Sequence, residues 1–121
     1  MSNIHAPLEH LYVMDEDNRP IKPASLKEWS NLMVDIERRK VDFWILPGKW
    51  EVTTVFVGIN KDVVTMQPPR LFETLVRPIG ESVLKNAEIK ATYETWEDAE
   101  KGHRLIVEAL VRVESEGDSH V

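Results

Sequence analysis

The run Val41-Asp42-Phe43-Trp44-Ile45-Leu46, then Pro47-Gly48-Lys49, then Trp50-Glu51-Val52-Thr53-Thr54-Val55-Phe56-Val57-Gly58-Ile59, decides the fold. Two β-rich stretches flank a three-residue connection. Proline followed by glycine suits the two central positions of a type II turn, because proline presets φ and glycine accepts a positive φ. So tight a turn joins antiparallel neighbours. The later half of the second stretch is apolar on both faces, which predicts a central strand covered on each side.

Outward from this hairpin, Leu71 to Val76 and Ala87 to Tyr93 read as further strands, with an irregular loop from Pro78 to Asn86 between them. Val63 to Met66 can form an edge strand that Pro68-Pro69 must stop. Near the start, Leu11 to Met14 reads as a short strand ending in the polar turn Asp15 to Pro20. Pro20 and Pro23 then hold the chain extended.

Two helices bracket the strands. Ser25-Leu26-Lys27-Glu28 matches a capping box, and Leu26, Trp29, Leu32, Met33 and Ile36 follow as one apolar stripe. Glu37-Arg38-Arg39-Lys40 closes that helix, its cations facing the negative end of the dipole. Thr95 is the second N-cap, and Trp96, Ala99, His103, Ile106, Val107 and Leu110 form the second stripe. From Glu114 the chain is too polar to pack and is expected to fray.

The expected architecture is therefore one α+β domain over residues 1–113, with a flexible acidic tail over 114–121. Its order is β-α-β-β-β-(β)-α. Four to five antiparallel strands carry two helices on one face. The other face has to meet water or a second copy of the chain.

Composition narrows the function. The chain has 121 residues, 42% hydrophobic and 30% charged, the balance of one ordinary globular domain. Fifteen Lys and Arg against 21 Asp and Glu leave a charge of −6, unlike a duplex-DNA binder that relies on phosphate contacts. The charge is uneven: residues 1–18 carry −4, 19–49 carry +3, 50–93 carry zero and 94–121 carry −5. No cysteine is present, which excludes disulfides, thiolate metal sites and cysteine nucleophiles. No glycine-rich phosphate loop or nucleophile elbow occurs, and the four histidines lack paired helical spacing, so neither cofactor nor metal is expected. With no basic, apolar leader and no long apolar run, the expected setting is the cytoplasm, away from membranes.

Five residues stand out as candidate site residues. His103 interrupts an apolar stripe, where it is either a satisfied core histidine or a general base. Glu73 sits mid-strand, where a carboxylate must be exposed, paired or protonated. A pocket joining Glu73 to His103, or to Thr54 on the neighbouring strand, would shift pKa values and mark a site. Trp44 and Trp50 flank the turn, as cross-strand packing rings or as anchors for a partner.

Several segments resemble small uncharacterised proteins encoded by bacteriophages and prophages. They are Leu11-Tyr12-Val13-Met14-Asp15, Thr53-Thr54-Val55-Phe56-Val57-Gly58-Ile59-Asn60, Pro69-Arg70-Leu71-Phe72-Glu73-Thr74-Leu75-Val76 and Tyr93-Glu94-Thr95-Trp96-Glu97-Asp98-Ala99-Glu100-Lys101-Gly102-His103. The chain departs from that pattern in a less glycine-rich loop after Asn60 and a longer Pro78 to Lys90 segment, so a ligand beneath those loops would differ here. The resemblance implies a phage-associated role in the host cytoplasm and carries no activity with it.

The expected function is thus a non-catalytic phage accessory protein that binds another protein and self-associates. The alternatives are an acidic inhibitor of a host defence protein, in the manner of anti-CRISPR proteins, and a small hydrolase using Glu73 and His103.

Overall fold

The computed structural model describes residues 7–61, 67–79 and 87–118. The hairpin that opens the sequence argument is present: β3 (Lys40–Leu46) pairs antiparallel with β4 (Trp50–Phe56). Lys49 N–H donates to Leu46 O at 2.9 Å, and Gly48 has φ 75°, as the second central position of a type II turn requires. β5 (Phe72–Pro78) and β6 (Glu88–Tyr93) complete a four-stranded antiparallel sheet in the order β3-β4-β5-β6. The expected strand over Val63 to Met66, and most of the Pro78 to Asn86 loop, lie outside the described residues.

The N-terminal segment forms its own two-stranded ribbon, β1 (Val13–Met14) with β2 (Pro20–Ile21). Its turn is organised by Asp15, whose carboxylate accepts from the Asp17 and Arg19 amides at 2.9 Å each. Asn18 supplies the positive φ of 65°. β2 is a strand that the proline-rich sequence concealed; at an edge, proline's missing N–H costs nothing.

α1 (Leu26–Val34) starts as expected. Ser25 Oγ accepts from Glu28 N–H at 3.1 Å, while Glu28 reaches back to Ala24 N–H at 3.4 Å, one residue beyond the reciprocal partner of a strict capping box. It ends early, at Asp35, whose carboxylate accepts from Arg38 N–H at 3.2 Å and caps the single turn α2 (Ile36–Arg39). The stripe is correspondingly shorter than predicted. Leu32 and Met33 pack on the core and Trp29 is half-buried, whereas Leu26 (54%) and Ile36 (60%) are exposed. Arg38 and Arg39 do not complement the dipole of one long helix. Arg38 donates to Asn18 Oδ1 and Asp15 O, and Arg39 to Met33 O and Phe56 O, so they tie the ribbon and α1 to the sheet.

α3 (Trp96–Asp118) crosses all four strands of the larger sheet. Thr95 Oγ1 accepts from Asp98 N–H at 3.0 Å, the expected cap. The helix runs past the predicted fraying point, and Glu114 accepts a 3.0 Å bond from Trp50 Nε1. That indole contact gives the polar end of the helix something to hold.

The core lies between α3, α1 and one face of the sheet, centred on Phe56, Leu71, Phe72 and Ala99. Phe56 and Phe72 rings stand 5.2 Å apart, and Trp96 meets Phe72 edge-on at 6.2 Å. β4 ends where Gly58 turns with φ 70°. A Cβ there would come within 2.6 Å of Met33 Cε and 3.0 Å of Tyr12 O. The Gly58 carbonyl accepts from Tyr12 N–H and Trp29 Nε1, docking ribbon and α1 together. β4 is not covered on both sides. Val52, Thr54 and Phe56 are buried while the alternating Glu51, Thr53 and Val55 are half-exposed, so only the α3 side is roofed among the described residues.

Candidate functional site

The alternation of strand side chains sorts the candidate residues onto two faces. Under α3, register aligns Asp42 of β3, Thr54 of β4 and Thr74 of β5 in one row across the sheet. Ala99 and His103, one turn apart on α3, are both buried, and His103 comes down on that row. Thr54 Oγ1 lies 2.8 Å from His103 Nδ1 and 2.6 Å from Thr74 Oγ1, and Thr74 Oγ1 lies 3.0 Å from Tyr93 Oη. On the far side, His103 Nε2 faces Asp42 Oδ2 at 3.8 Å.

With the imidazole proton on Nε2, the tautomer that turns a donor toward the Asp42 carboxylate, Nδ1 accepts from Thr54. In that arrangement Thr54 accepts from Thr74 and Thr74 from Tyr93, so each threonine hydroxyl both gives and takes one bond. Burial pushes the His103 pKa below the ordinary imidazole value, with the Asp42 carboxylate opposing. Among the described residues, no buried side-chain nitrogen or oxygen lacks a partner.

Gly102 makes room for the last member of this chain. A Cβ on it would fall 2.2 Å from Tyr93 Cε1 and Oη, so the tyrosine ring lies directly against the helix backbone.

An Asp-His-Thr series has the outline of a nucleophilic triad. A nucleophile must meet its substrate, however, and Thr54 is fully buried with its oxygen engaged by Thr74. What the cluster does is fix α3 at one register on the sheet, because sliding it would orphan buried polar groups.

Glu73 lies on the opposite face. It neighbours Thr74 in the strand and therefore points away from His103; its register partners are Val55 and Thr92. The expected Glu73–His103 pair does not form, and a hydrolase built on it is lost with it. Nor does Glu73 meet Thr54, which lies on the α3 side and contacts His103 instead. Glu73 is only 5% exposed, and its Oε2 accepts from Lys61 Nζ at 2.8 Å. It lines a cavity of about 430 Å³ with Lys61, Arg70, Thr92 and Glu94.

Trp44 and Trp50 share the α3 side with Val52 and are half-buried. The Trp50 indole is held by Glu114, and Trp44 lines a small recess beside His103. Sequence reasoning missed Asp42, Thr74 and Tyr93. A signal existed for Thr74: like Thr54, it is a hydroxyl flanked two residues either way by apolar side chains, Phe72 and Val76, on a strand face that must be roofed.

The face away from α3 carries Phe43, Thr53, Leu75 and Ile89 in one cross-strand row. Phe43, Ile45 and Ile89 are 44%, 46% and 50% exposed. Flanking them are the Arg77–Glu51 ion pair, Lys40 and the Lys61–Glu73 pair. Among the described residues no cluster of three or more His, Asp and Glu side chains is placed to hold a metal ion, and no helix is long and apolar enough to cross a membrane. Comparison with protein-family models, curated proteins and solved structures finds no match to this chain.

Proposed function

We propose that the chain is a non-catalytic binding protein that self-associates through the open face of its sheet. In the setting its resemblance implies, it is a phage accessory factor acting in the host cytoplasm. The observation that carries this reading is the exposed apolar row Phe43–Ile89, with Ile45 beside it, on a sheet face no described element covers. Removing such a row from water is the ordinary driving force for association.

A second copy is the occupant favoured by charge. The face carries three cations (Lys40, Lys61, Arg77) and two anions (Glu51, Glu73), whereas the whole chain carries −6. Two copies can meet there without the like-charge repulsion that a pairing of the acidic α3 surfaces would meet. Four strands at about 4.8 Å spacing and seven residues at about 3.4 Å give a patch of roughly 19 by 24 Å, at the small end for a specific interface. The dimer is therefore reversible. Sedimentation across a concentration series tests it: mass rises with concentration for the parent chain and stays monomeric for Phe43→Lys and Ile89→Lys. A monomer throughout the series refutes the reading.

The outer side of α3 supports a second reading, the acidic inhibitor. Glu97, Asp98 and Glu100 are exposed at its start against one exposed cation there, Lys101. Salt-sensitive capture of a basic host protein, abolished by charge reversal at these positions, separates it from self-association.

A further inference from the structure

We propose that the cavity at Glu73 is a binding site for a small zwitterion of the amino-acid class, its ammonium held by Glu73 and its carboxylate by Arg70. Four observations lead there. The cavity, about 430 Å³, is of a size that encloses small ligands. Glu73 is buried on a sheet face otherwise open to water, which is a costly place for a carboxylate unless something charged comes to it. Only Oε2 is engaged, by a lysine that is itself 59% exposed at the rim, and Oε1 has no hydrogen-bond partner among the described residues and is not itself buried. Finally, Arg70 and Glu94 line the same cavity and form no ion pair among the described residues.

The charges define the class of ligand. Lys61 and Arg70 against Glu73 and Glu94 sum to zero. A cation alone would leave Arg70 unanswered, and an anion alone would be repelled by the buried carboxylate. A molecule with one ammonium and one carboxylate satisfies both and leaves the balance intact. Charge-assisted hydrogen bonds of this kind are the strong ones, and guanidinium matches carboxylate geometry in particular. Gln67 and Thr92 add neutral polar groups to the wall, so the ligand's remaining part is polar.

The test is titration of the full chain, followed by backbone amide resonances, with three probes that share one side chain. L-glutamine is the zwitterion, L-glutaminamide the cation and N-acetyl-L-glutamine the anion. L-glutamine is expected to shift the Arg70, Glu73 and Thr92 amides saturably, with each single-charge probe weaker by at least about tenfold. Glu73→Gln and Arg70→Gln should each cost about tenfold or more while the α3 amides stay in place, which shows the fold intact. Arg70 is exposed, so its variant reads binding even if Glu73→Gln perturbs the strand. No saturable shift with any probe overturns the site, and a single-charge probe that binds as tightly as L-glutamine overturns the zwitterion assignment. Because Lys61 and Glu73 also lie on the face proposed to self-associate, the titration is run on the Phe43→Lys chain as well, whose outcome reads the site whether or not copies of the parent chain associate.

Discussion

Replacing Gly102 with alanine adds one methyl group to the middle of α3, where alanine ordinarily stabilises a helix by about 1 kcal/mol over glycine. Here the sign should reverse. The new Cβ would sit 2.2 Å from Tyr93 Cε1 and Oη and 2.3 Å from Cζ. Carbon contacts relax only beyond about 3.5 Å, so the ring has to retreat by more than an ångström or the helix has to lift. Overpacking of this kind costs about 1–3 kcal/mol. Moving the ring also opens the 3.0 Å Tyr93–Thr74 bond, for about 0.5–1.5 kcal/mol more. Set against the helix gain, the net loss is about 0.5–3.5 kcal/mol, centred near 2. At this chain length that lowers Tm by roughly 3–5 °C per kcal/mol. Urea unfolding of Gly102→Ala, Tyr93→Ala and the double variant isolates the cause. With the ring gone, alanine at 102 should stabilise by about 1 kcal/mol, so the cycle should give a coupling of about 1.5–4.5 kcal/mol. If Gly102→Ala stabilises the parent chain, or the cycle shows no coupling, the packing of Tyr93 on the helix backbone is wrong.

The buried histidine predicts a pH dependence. Because desolvation holds the folded His103 pKa below its ordinary value of 6.5, the unfolded chain takes up the proton first as pH falls. Its contribution to stability is full above that value and is lost as pH falls from it through the folded pKa; urea midpoints at pH 8 and pH 5.5 should differ for the parent and differ less for His103→Gln. The two glycines with positive φ separate backbone strain from packing. Gly48→Ala, with nothing within 4 Å of its Cβ, should cost only the left-handed backbone penalty of about 1–2 kcal/mol. Gly58→Ala, with the same strain plus Met33 and Tyr12 O in the way, should cost about 1 kcal/mol or more beyond that, and equal losses at the two positions would contradict the docking of α1 on Gly58.

Local rules carried much of this fold in the sequence. Pro47-Gly48 set the hairpin, Ser25 and Thr95 set two helix starts, and the stripe from Trp96 to Leu110 identified the face of α3 that meets the sheet. Those features depend on residues a few positions apart, where turn and cap chemistry act directly. What failed depends on partners far away. Leu26 and Ile36 fit a helical stripe, yet both lie in water: Asp35 breaks the helix before Ile36, and Leu26 stands at the exposed first residue of α1. Pro20 looks like a strand breaker until its position at a ribbon edge is known. The site shows the same limit. Period two places Glu73 and Thr74 on opposite faces, but only the packing of α3 decides which of them His103 meets. The answer, Thr74 through Thr54, turns an imagined acid–base pair into a buried chain of hydroxyls.

The most direct measurement of the central claim is the mass of the full chain by sedimentation equilibrium from about 1 to 100 μM, a span suited to a modest interface. Concentration-dependent dimer, converted to monomer by lysine at Phe43 or Ile89 with the fold unchanged, is the predicted result. A strictly monomeric parent chain, or a dimer indifferent to both substitutions, contradicts it.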